Sequence, residues 1–236
     1  SSKDDLVARG VPPGQIEIVH NGIRTPRVSL RPWALRRPRI AYLGRLEPYK
    51  RVDLLLRAAA RLVPRFPDLE LVLIGRGSAR VGLERLCAQL GLSERTRFAG
   101  FVSDDERDAL LAEARVCACP SVKEGWGITV IEVNALGTPV VATDAPGLRD
   151  AVRHGETGLL IADGPPQVFV ASLAERMGEL LADGALAERL SQGALAWSRH
   201  FSWDATAERT ANICLRQFHH LPLAETLRQV DRRGVN

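Results

Sequence analysis

Aromatic residues are scarce in this 236-residue chain, at 5% of the composition, and it has no long apolar run. A membrane-spanning helix needs about 20 consecutive apolar residues, and nucleic-acid binders usually combine aromatic residues with a clustered basic face. The net charge is only +4, and the arginines are spread along the chain. These shortages argue against a transmembrane segment and against a nucleic-acid partner. A small bound anion fits the composition better.

Cysteine and lysine are also rare. The four cysteines have no Cys-x-x-Cys or Cys/His spacing, so no metal site is predicted, and we expect small buried thiols in a reducing compartment. Only Lys3, Lys50 and Lys123 are lysines among the 32 basic residues. The N-terminus has no apolar stretch behind a basic start and predicts no secretory signal. We expect a cytoplasmic protein, with peripheral attachment at the inner membrane face left open.

Short apolar runs alternate with helical periodicity through the middle of the chain. Continuous apolar runs predict strands buried on both faces at residues 40–43, 70–74, 96–102, 116–119, 139–142 and 158–161. Helical periodicity predicts helices between them, at residues 50–63, 80–90, 104–114, 128–136 and 148–152. This order predicts an α/β fold, a Rossmann-like doubly wound parallel sheet with helices on both faces.

The two ends of the chain differ from its middle. Residues 1–37 include a Pro/Arg-rich stretch that is typical of a linker or surface turn, and residues 38–200 form the predicted Rossmann-like domain. A helical pattern begins at Pro165, and residues 201–236 are predicted to form a C-terminal helix and tail. Ligands of an open α/β sheet bind outside the carboxyl ends of its strands. The loops that follow the strands should therefore hold the functional site.

The loop after the first strand carries two cations, in the run Gly44-Arg45-Leu46-Glu47-Pro48-Tyr49-Lys50. Arginine offers a planar fork and lysine a point charge, so together they can hold both phosphates of a diphosphate. They would stabilise a leaving diphosphate most strongly as it gains charge in the transition state. Two solvated surface charges are the alternative interpretation.

The loop after the fourth strand carries two carboxylates, Glu124 and Glu132, separated by seven residues. Gly125 and Gly127 permit close backbone approach to a ligand, and the N–H groups at the start of the following helix favour an anion. Glu124 would lie beside whatever the phosphate carries. Glu132 could accept hydrogen bonds from a ribose diol, as the acidic residue of dinucleotide sites does. An exposed helix position is the alternative for Glu132, but its apolar neighbours indicate burial and the need for a partner.

Two further loops give weaker signals. The run Gly75–Ser78 lacks the third glycine of a dinucleotide fingerprint, so a tight turn competes with a role for Arg76 near a phosphate or base. At Phe101 and Val102, a strand end with a core phenylalanine is favoured over contact with a base. The acidic run Asp104–Glu106 predicts a helix N-terminus rather than a metal site.

Taken together, these residues resemble the retaining glycosyltransferases of the GT-B fold called group 1 or family 4. The most specific match runs from Cys119 through the Glu124–Glu132 pair to Thr143, and the resemblance covers about residues 5–205. Arg51 stands where the family commonly has glycine, and this departure leaves the identity of the donor open. Further similar segments are Val19-His20-Asn21-Gly22-Ile23, Gly44-Arg45-Leu46 with Lys50, and Phe201-Ser202-Trp203-Asp204.

The resemblance implies a UDP-, GDP- or ADP-sugar as donor and no metal or other cofactor. Arg45 and Lys50 would grip the diphosphate and Glu124 the donor-sugar hydroxyls, and these three form the implied catalytic set. Glu132 would bind the ribose, and Phe101 or Val102 would meet the base. The full implied donor-binding set is Gly44, Arg45, Lys50, Arg76, Phe101, Val102, Glu124, Gly125, Trp126, Gly127, Ile128, Thr129 and Glu132.

The resemblance also implies that this chain is the C-terminal half of a GT-B protein. In the family, an N-terminal domain holds the acceptor across a cleft, and this chain would begin near the end of that domain. We therefore expect donor binding without transfer, with the N-terminal domain as partner and a lipid, glycan or small molecule as acceptor. A GT-B epimerase or phosphorylase and a non-catalytic nucleotide-sugar-binding module are alternatives. A nicotinamide oxidoreductase is disfavoured because the first strand lacks the glycine fingerprint.

Overall fold

The computed structural model describes residues 2–220, which contain a six-stranded parallel sheet of order β3-β2-β1-β4-β5-β6. Successive strands step outward from β1 to β3 and then return to β4 on the other side of β1, as in a doubly wound fold. The predicted fold class is confirmed. The strands are β1 Arg37–Leu43, β2 Glu70–Ile74, β3 Thr96–Gly100, β4 Ala114–Cys119, β5 Val140–Thr143 and β6 Gly158–Ile161.

Helices cover both faces of the sheet because adjacent strand residues point to opposite sides. Ile40 and Tyr42 enter one apolar core with α2, α3 and α7, whereas Ala41 enters a second core with α4, α5 and α6. The helices are α1 Ser2–Ala8, α2 Val52–Leu62, α3 Arg80–Gln89, α4 Asp104–Ala112, α5 Ile128–Asn134, α6 Leu148–Ala151, α7 Pro166–Ala182, α8 Gly184–Ser198 and α9 Trp203–His220. Within residues 2–220, none of them combines the length and apolarity that a bilayer crossing requires.

The end of the stretch that was predicted as a linker packs against the sheet. Trp33 is 6% exposed and donates its indole N–H to the Arg115 carbonyl at 3.1 Å. Arg36 is 4% exposed, and its guanidinium donates to the Thr138 hydroxyl at 2.8 Å and to backbone carbonyls. Burial lowers the pKa of Arg36 to about 10. β1 begins at Arg37, so this stretch continues directly into the sheet instead of forming a surface turn throughout.

The helical pattern predicted from Pro165 is confirmed by α7, α8 and α9. Trp197 is partly buried and meets the Phe201 ring edge-on, with a centroid distance of 4.8 Å. Trp203 occupies an apolar position of the helical pattern but is 57% exposed, so its place in the pattern does not indicate burial. Residues 221–236 of the predicted C-terminal tail lie outside the described residues.

Residues 19–23, which we name the entry segment, cross the start of α9. Ile23 donates its N–H to the Phe201 carbonyl at 2.9 Å and pairs with Ser202 in an isolated bridge. Gly22 is required at the crossing because a Cβ there would overlap the backbone of Trp203. The crossing lies against the loop after β4, because Trp126 of that loop contacts both His20 and Phe201.

Candidate functional site

The site is centred on the loops that follow β1 and β4, which are neighbouring strands in the middle of the sheet. Lys50 ends a short 3-10 turn after β1, and Glu124 lies in the loop after β4. The Lys50 ammonium donates a hydrogen bond to Glu124 Oε1, and the two side chains are only 11% and 15% exposed. The fold therefore joins two of the residues predicted to act on the donor, 74 positions apart in sequence.

Tyr49 connects the two cations of the first loop. Its hydroxyl accepts a hydrogen bond from the Arg45 guanidinium at 2.6 Å, and the Lys50 ammonium lies 5.2 Å from its ring centroid. An aromatic face attracts a cation at this distance, while the hydroxyl restricts the orientation of the guanidinium. Tyr49 was not predicted as a site residue. The only signal in the sequence is its position between the two cations.

The turn that carries Arg45 is held from beneath by Tyr42. This buried side chain donates its hydroxyl to the Arg45 carbonyl at 2.7 Å, and burial raises its pKa well above the ordinary value. Gly44 has a φ of 153° and leaves room for the Tyr42 hydroxyl, which would lie 2.9 Å from an added Cβ. The presence of glycine at this strand end thus has a steric cause.

The run Gly75–Ser78 lies directly against the first loop. Leu46 donates its N–H to the Arg76 carbonyl at 2.8 Å. A Cβ on Gly75 would overlap the Gly44 carbonyl oxygen, and one on Gly77 would overlap the backbone of Leu46. These contacts account for both glycines by close packing of two loops.

Arg76 and Phe101 meet at the outer end of this group of loops. The Arg76 guanidinium lies 5.4 Å from the ring centroid of Phe101, which is 77% exposed. The prediction of a core phenylalanine is therefore wrong. Gly100 ends β3 with a φ of 70°, so the predicted strand stops two residues early and Phe101 points to solvent. Val102 instead packs, partly buried, against the core formed with α4 and α5.

Close backbone packing also shapes the loop that carries Glu124. A Cβ on Gly147 would overlap the Glu124 carbonyl oxygen, so the loop after β5 supports the loop after β4. Trp126 stacks on His20 with a centroid distance of 4.7 Å and contacts Phe201 at 5.0 Å. Trp126, predicted among the donor contacts, thus packs its ring against the crossing of the entry segment and α9. Gly125 and Trp126 line one side of a groove of about 490 Å³.

Gly127, with a φ of 73°, begins α5, whose first residues are the partly buried Ile128 and Thr129. The first N–H groups of a helix have no partner within it, so they are available to other acceptors. Glu132, on the same helix, has a side chain that is 25% exposed and lies 3.5 Å from the Arg107 guanidinium. Burial, reinforced by Asp108 and Asp104, raises the pKa of Glu132 above its ordinary value despite Arg107.

The structure brings Arg45, Lys50 and Glu124 together, whereas Glu132 faces the first turns of α4. The predicted partner of a buried Glu132 exists and is Arg107, which sequence reasoning did not identify. Asp104, predicted at a helix N-terminus, begins α4 after the N-cap Ser103, whose hydroxyl accepts from the Glu106 N–H at 3.2 Å. Within residues 2–220, no cluster of three or more His, Cys, Asp or Glu side chains is arranged to hold a metal ion.

Sequence comparison decides the family. The profile of the family described as "Glycosyl transferases group 1" matches residues 31–197. The chain belongs to the group 1 glycosyltransferases. The D-inositol 3-phosphate glycosyltransferase of Salinispora tropica is 38% identical over 184 residues, covering 74% of this chain and 37% of that protein. The enzyme of the same name from Thermobispora bispora is 34% identical over 220 residues, covering 86% of this chain and 50% of the relative.

Several solved structures share this fold. The Anabaena protein Alr3699/HepE, solved with UDP-glucose, has a TM-score of 0.78 at 23% identity, covering 91% of this chain and 61% of that chain. Sucrose-phosphate synthase from Thermosynechococcus elongatus has a TM-score of 0.77 at 25% identity, covering 94% and 58%. The C-terminal domain of the Francisella tularensis group 1 protein LpcC has a TM-score of 0.61 at 25% identity, covering 68% and 84%. The chain therefore has the Rossmann-like fold expected of a GT-B C-terminal domain.

Proposed function

We propose that this group 1 glycosyltransferase chain binds a nucleotide-diphosphate sugar at the carboxyl edge of its sheet, for retaining and metal-independent transfer of a hexosyl group. The observation that carries the proposal is the contact between Lys50 and Glu124, with Arg45 held beside it by Tyr49. This arrangement sets two cations and a carboxylate at the centre of the sheet edge, where an open α/β fold binds its ligands.

Lys50 and Arg45 would hold the diphosphate and Glu124 the sugar attached to it. The Lys50 ammonium forms an ion pair with the Glu124 carboxylate. A bound diphosphate would share that ammonium, and Glu124 could then accept hydrogen bonds from sugar hydroxyls. Charge on the departing diphosphate grows during transfer, so both cations would stabilise the transition state more than the bound donor.

The nucleoside would extend from the diphosphate towards α4 and α5. Glu132 is proposed to bind the ribose, and the backbone N–H groups of Gly127 to Thr129 to meet phosphate and sugar. The exposed ring of Phe101, with Arg76 beside it, offers a surface on which a base could stack. UDP-glucose in the Anabaena structure supports a UDP-sugar as the first donor to test.

The acceptor would be held by a further domain. This chain spans 37% and 50% of the lengths of the Salinispora tropica and Thermobispora bispora relatives, which leaves room in proteins of that size for a second domain. Both substrates must be enclosed for efficient transfer. We therefore propose that the chain alone binds the donor but transfers no sugar, and transfer at the rate of a complete enzyme would contradict this.

Calorimetric titration with UDP, GDP, ADP and NAD tests the proposal. We expect one nucleoside diphosphate to bind and NAD not to bind. Lys50→Ala should weaken that binding by about 10-fold or more, because it removes a charge-assisted hydrogen bond worth roughly 1.5–3 kcal/mol. Lys123→Ala is the matched control, since Lys123 is an exposed lysine of the neighbouring loop. Binding of NAD, or no binding of any nucleoside diphosphate, would reject the proposed function.

A second variant tests the ribose contact. Glu132→Ala should weaken nucleotide binding by roughly 1.5–3 kcal/mol through loss of a charge-assisted hydrogen bond. The same titrations with the 2′,3′-dideoxy nucleotide provide the control, because the variant should bind the two forms almost equally. If Glu132→Ala folds normally and still discriminates between them as the unaltered chain does, Glu132 does not bind the ribose.

A further inference from the structure

A compact group of charges surrounds the carboxylate of Glu132. Acidic side chains from the first turns of α4 meet two arginines, Arg107 of the same helix and Arg24, which directly follows the entry segment. No motif in the sequence connects these residues. Their arrangement shows how a partly buried carboxylate on α5 is held next to a cation.

Asp108 is the anchor of this group. It is 2% exposed, and both of its carboxylate oxygens are used. Arg107 donates twice to Oδ1, at 2.9 and 2.8 Å, and Arg24 donates to Oδ2 at 2.7 Å. A buried carboxylate with two arginine partners is strongly held. Asp108 therefore fixes the position of the Arg107 guanidinium.

The remaining edge of Arg107 faces two other carboxylates. Its terminal nitrogen donates to Asp104 Oδ1 at 3.0 Å and lies 3.5 Å from Glu132 Oε1. Because the guanidinium is planar and three of its hydrogen bonds end on α4, it has little freedom to move. Glu132 thus meets a cation whose place is set by another helix.

We propose that Arg107 is a positioning residue for donor binding: it holds the Glu132 carboxylate charged and oriented to accept hydrogen bonds from the ribose. The inference rests on the proposed function, since it requires that Glu132 binds the nucleotide. Arg107 does not touch the ligand itself but orients the Glu132 carboxylate towards it. The hydrogen bonds of Arg107 to Asp104 and Asp108 hold its guanidinium in place.

The charges that face Glu132 determine how each substitution should shift the pH dependence of nucleotide affinity. Burial, Asp108 and Asp104 raise the pKa of Glu132, while Arg107 and Arg24 oppose the rise. The carboxylate accepts hydrogen bonds from the ribose hydroxyls in its ionised form. Nucleotide affinity is therefore highest above this pKa and falls as the pH decreases through it. Removing Arg107 must move that fall to higher pH. Removing the charge of Asp104 must move it to lower pH.

The test measures nucleotide affinity between about pH 3.5 and 8, a span that brackets the reference pKa of glutamate. The probe is whichever of UDP, GDP and ADP binds the unaltered chain. For Arg107→Gln we expect the midpoint of the fall to rise by about 1 pH unit, and for Asp104→Asn we expect it to decrease. Arg107→Lys should restore much of the shift. Titration of the ligand phosphate is common to all variants and cancels in the comparison.

Arg97→Gln is the matched control. Arg97 donates to Glu106 of the same helix at 2.6 Å, but this pair is exposed on its surface. The control should leave the midpoint unchanged. Glu132→Gln should weaken binding at neutral pH and remove the midpoint. If Arg107→Gln does not fold, the opposite shift in Asp104→Asn and the profile of Arg107→Lys decide the question.

The outcomes distinguish failure of the ribose role of Glu132 from failure of the positioning role of Arg107. If Glu132→Gln leaves affinity unchanged at every pH, the ribose role of Glu132 fails and the inference fails with it. If Glu132→Gln weakens binding but Arg107→Gln and Asp104→Asn leave the midpoint in place, the proposed function stands and the positioning role of Arg107 is rejected. Shifts of opposite sign in Arg107→Gln and Asp104→Asn support it, because general loss of structure would move both the same way.

Discussion

Tyr49 holds the two cations of the first loop through different parts of its side chain. The hydroxyl accepts from Arg45, and the ring lies beside Lys50. Tyr49→Phe should keep the ring contact and lose the hydrogen bond, which is expected to weaken nucleoside diphosphate binding about 3- to 10-fold, from roughly 0.5–1.5 kcal/mol. Tyr49→Leu, which loses both contacts, should bind more weakly still. Equal affinities of Tyr49→Phe and the unaltered chain would show that the hydroxyl does not orient Arg45 for the ligand.

Arg51 adopts a left-handed backbone conformation, with a φ of 53°, at a position where the family commonly has glycine. Its guanidinium pairs with Asp163 at 2.5 Å and lies 5.6 Å from the ring centroid of Phe169. The departure from glycine thus exchanges backbone freedom for contacts with the loop after β6 and with α7. This left-handed conformation costs a residue with a Cβ about 1–2 kcal/mol.

Substitutions at Arg51 can separate these two contributions. Arg51→Ala keeps the backbone cost and loses the ion pair, whereas Arg51→Gly loses both. We expect Arg51→Gly to be more stable than Arg51→Ala by about 1 kcal/mol in urea denaturation. Because a surface ion pair contributes only about 0–1 kcal/mol, Arg51→Gly should be close to the unaltered chain. An alanine variant as stable as the glycine variant would exclude the backbone cost.

Individual partners were harder to predict than individual site residues. Lys50 and Glu124 could be selected because both lie in loops that follow strands, where an open α/β sheet binds its ligands. Arg107 could not be selected, because it lies among the acidic residues of an ordinary helix start and its contact with Glu132 depends on how α4 and α5 pack. The exposure of Phe101 was missed for a similar reason, since the turn at Gly100 reverses the direction in which the next side chain points.

At the scale of elements, two loops depend on each other through their backbones. Gly75 has a φ of 141° and no space for a Cβ beside the Gly44 carbonyl. Gly75→Ala should therefore lower the free energy of unfolding by about 2–4 kcal/mol, from overpacking together with backbone strain. It should also weaken nucleotide binding, because the shift of the first loop displaces Arg45.

Gly82→Ala is the matched control for this substitution. Gly82 lies within α3 with no atom near its would-be Cβ, so alanine there should stabilise the protein by about 0.5–1 kcal/mol. Chemical denaturation and nucleotide titration of both variants check the pair. A Gly75→Ala protein with unchanged stability and affinity would contradict the proposed close packing of the loops.

Elements were predicted well where one physical cause dominates. All six strands were found because parallel strands covered on both faces are continuous apolar runs. Their ends were less certain: β1 begins at Arg37, before the apolar run, because the ladder with β2 and β4 includes polar residues. α5 stops at Asn134, two residues before the predicted end, with Gly137 at a φ of 64° shortly after it. Tertiary hydrogen bonds determine where these strands and helices end, and hydrophobic periodicity alone does not reveal those hydrogen bonds.

For the whole molecule, Phe201 connects the entry segment and the start of α9 to the loop after β4. It is 6% exposed and contacts the rings of His20, Trp126 and Trp197. Phe201→Ala should cost about 3–5 kcal/mol of stability, as expected for removing a buried aromatic side chain. The exposed Trp203, two residues later, is the matched control. Trp203→Ala should change stability by no more than about 0.5 kcal/mol, and comparable losses in both variants would contradict this account.

The abutting glycine loops also restrict how donor preference can be re-engineered in this protein. A loop after β1 that is transplanted from another group 1 enzyme would pack directly against the backbone of residues 75–77, in the loop after β2. If the host keeps its own loop after β2, it can accept only transplanted loops that fit this backbone. Chimeras that exchange the whole span from the end of β1 to the end of the loop after β2 keep this interface intact. Libraries recombined inside that span should be depleted in folded members, and breakpoints within α3 should be tolerated.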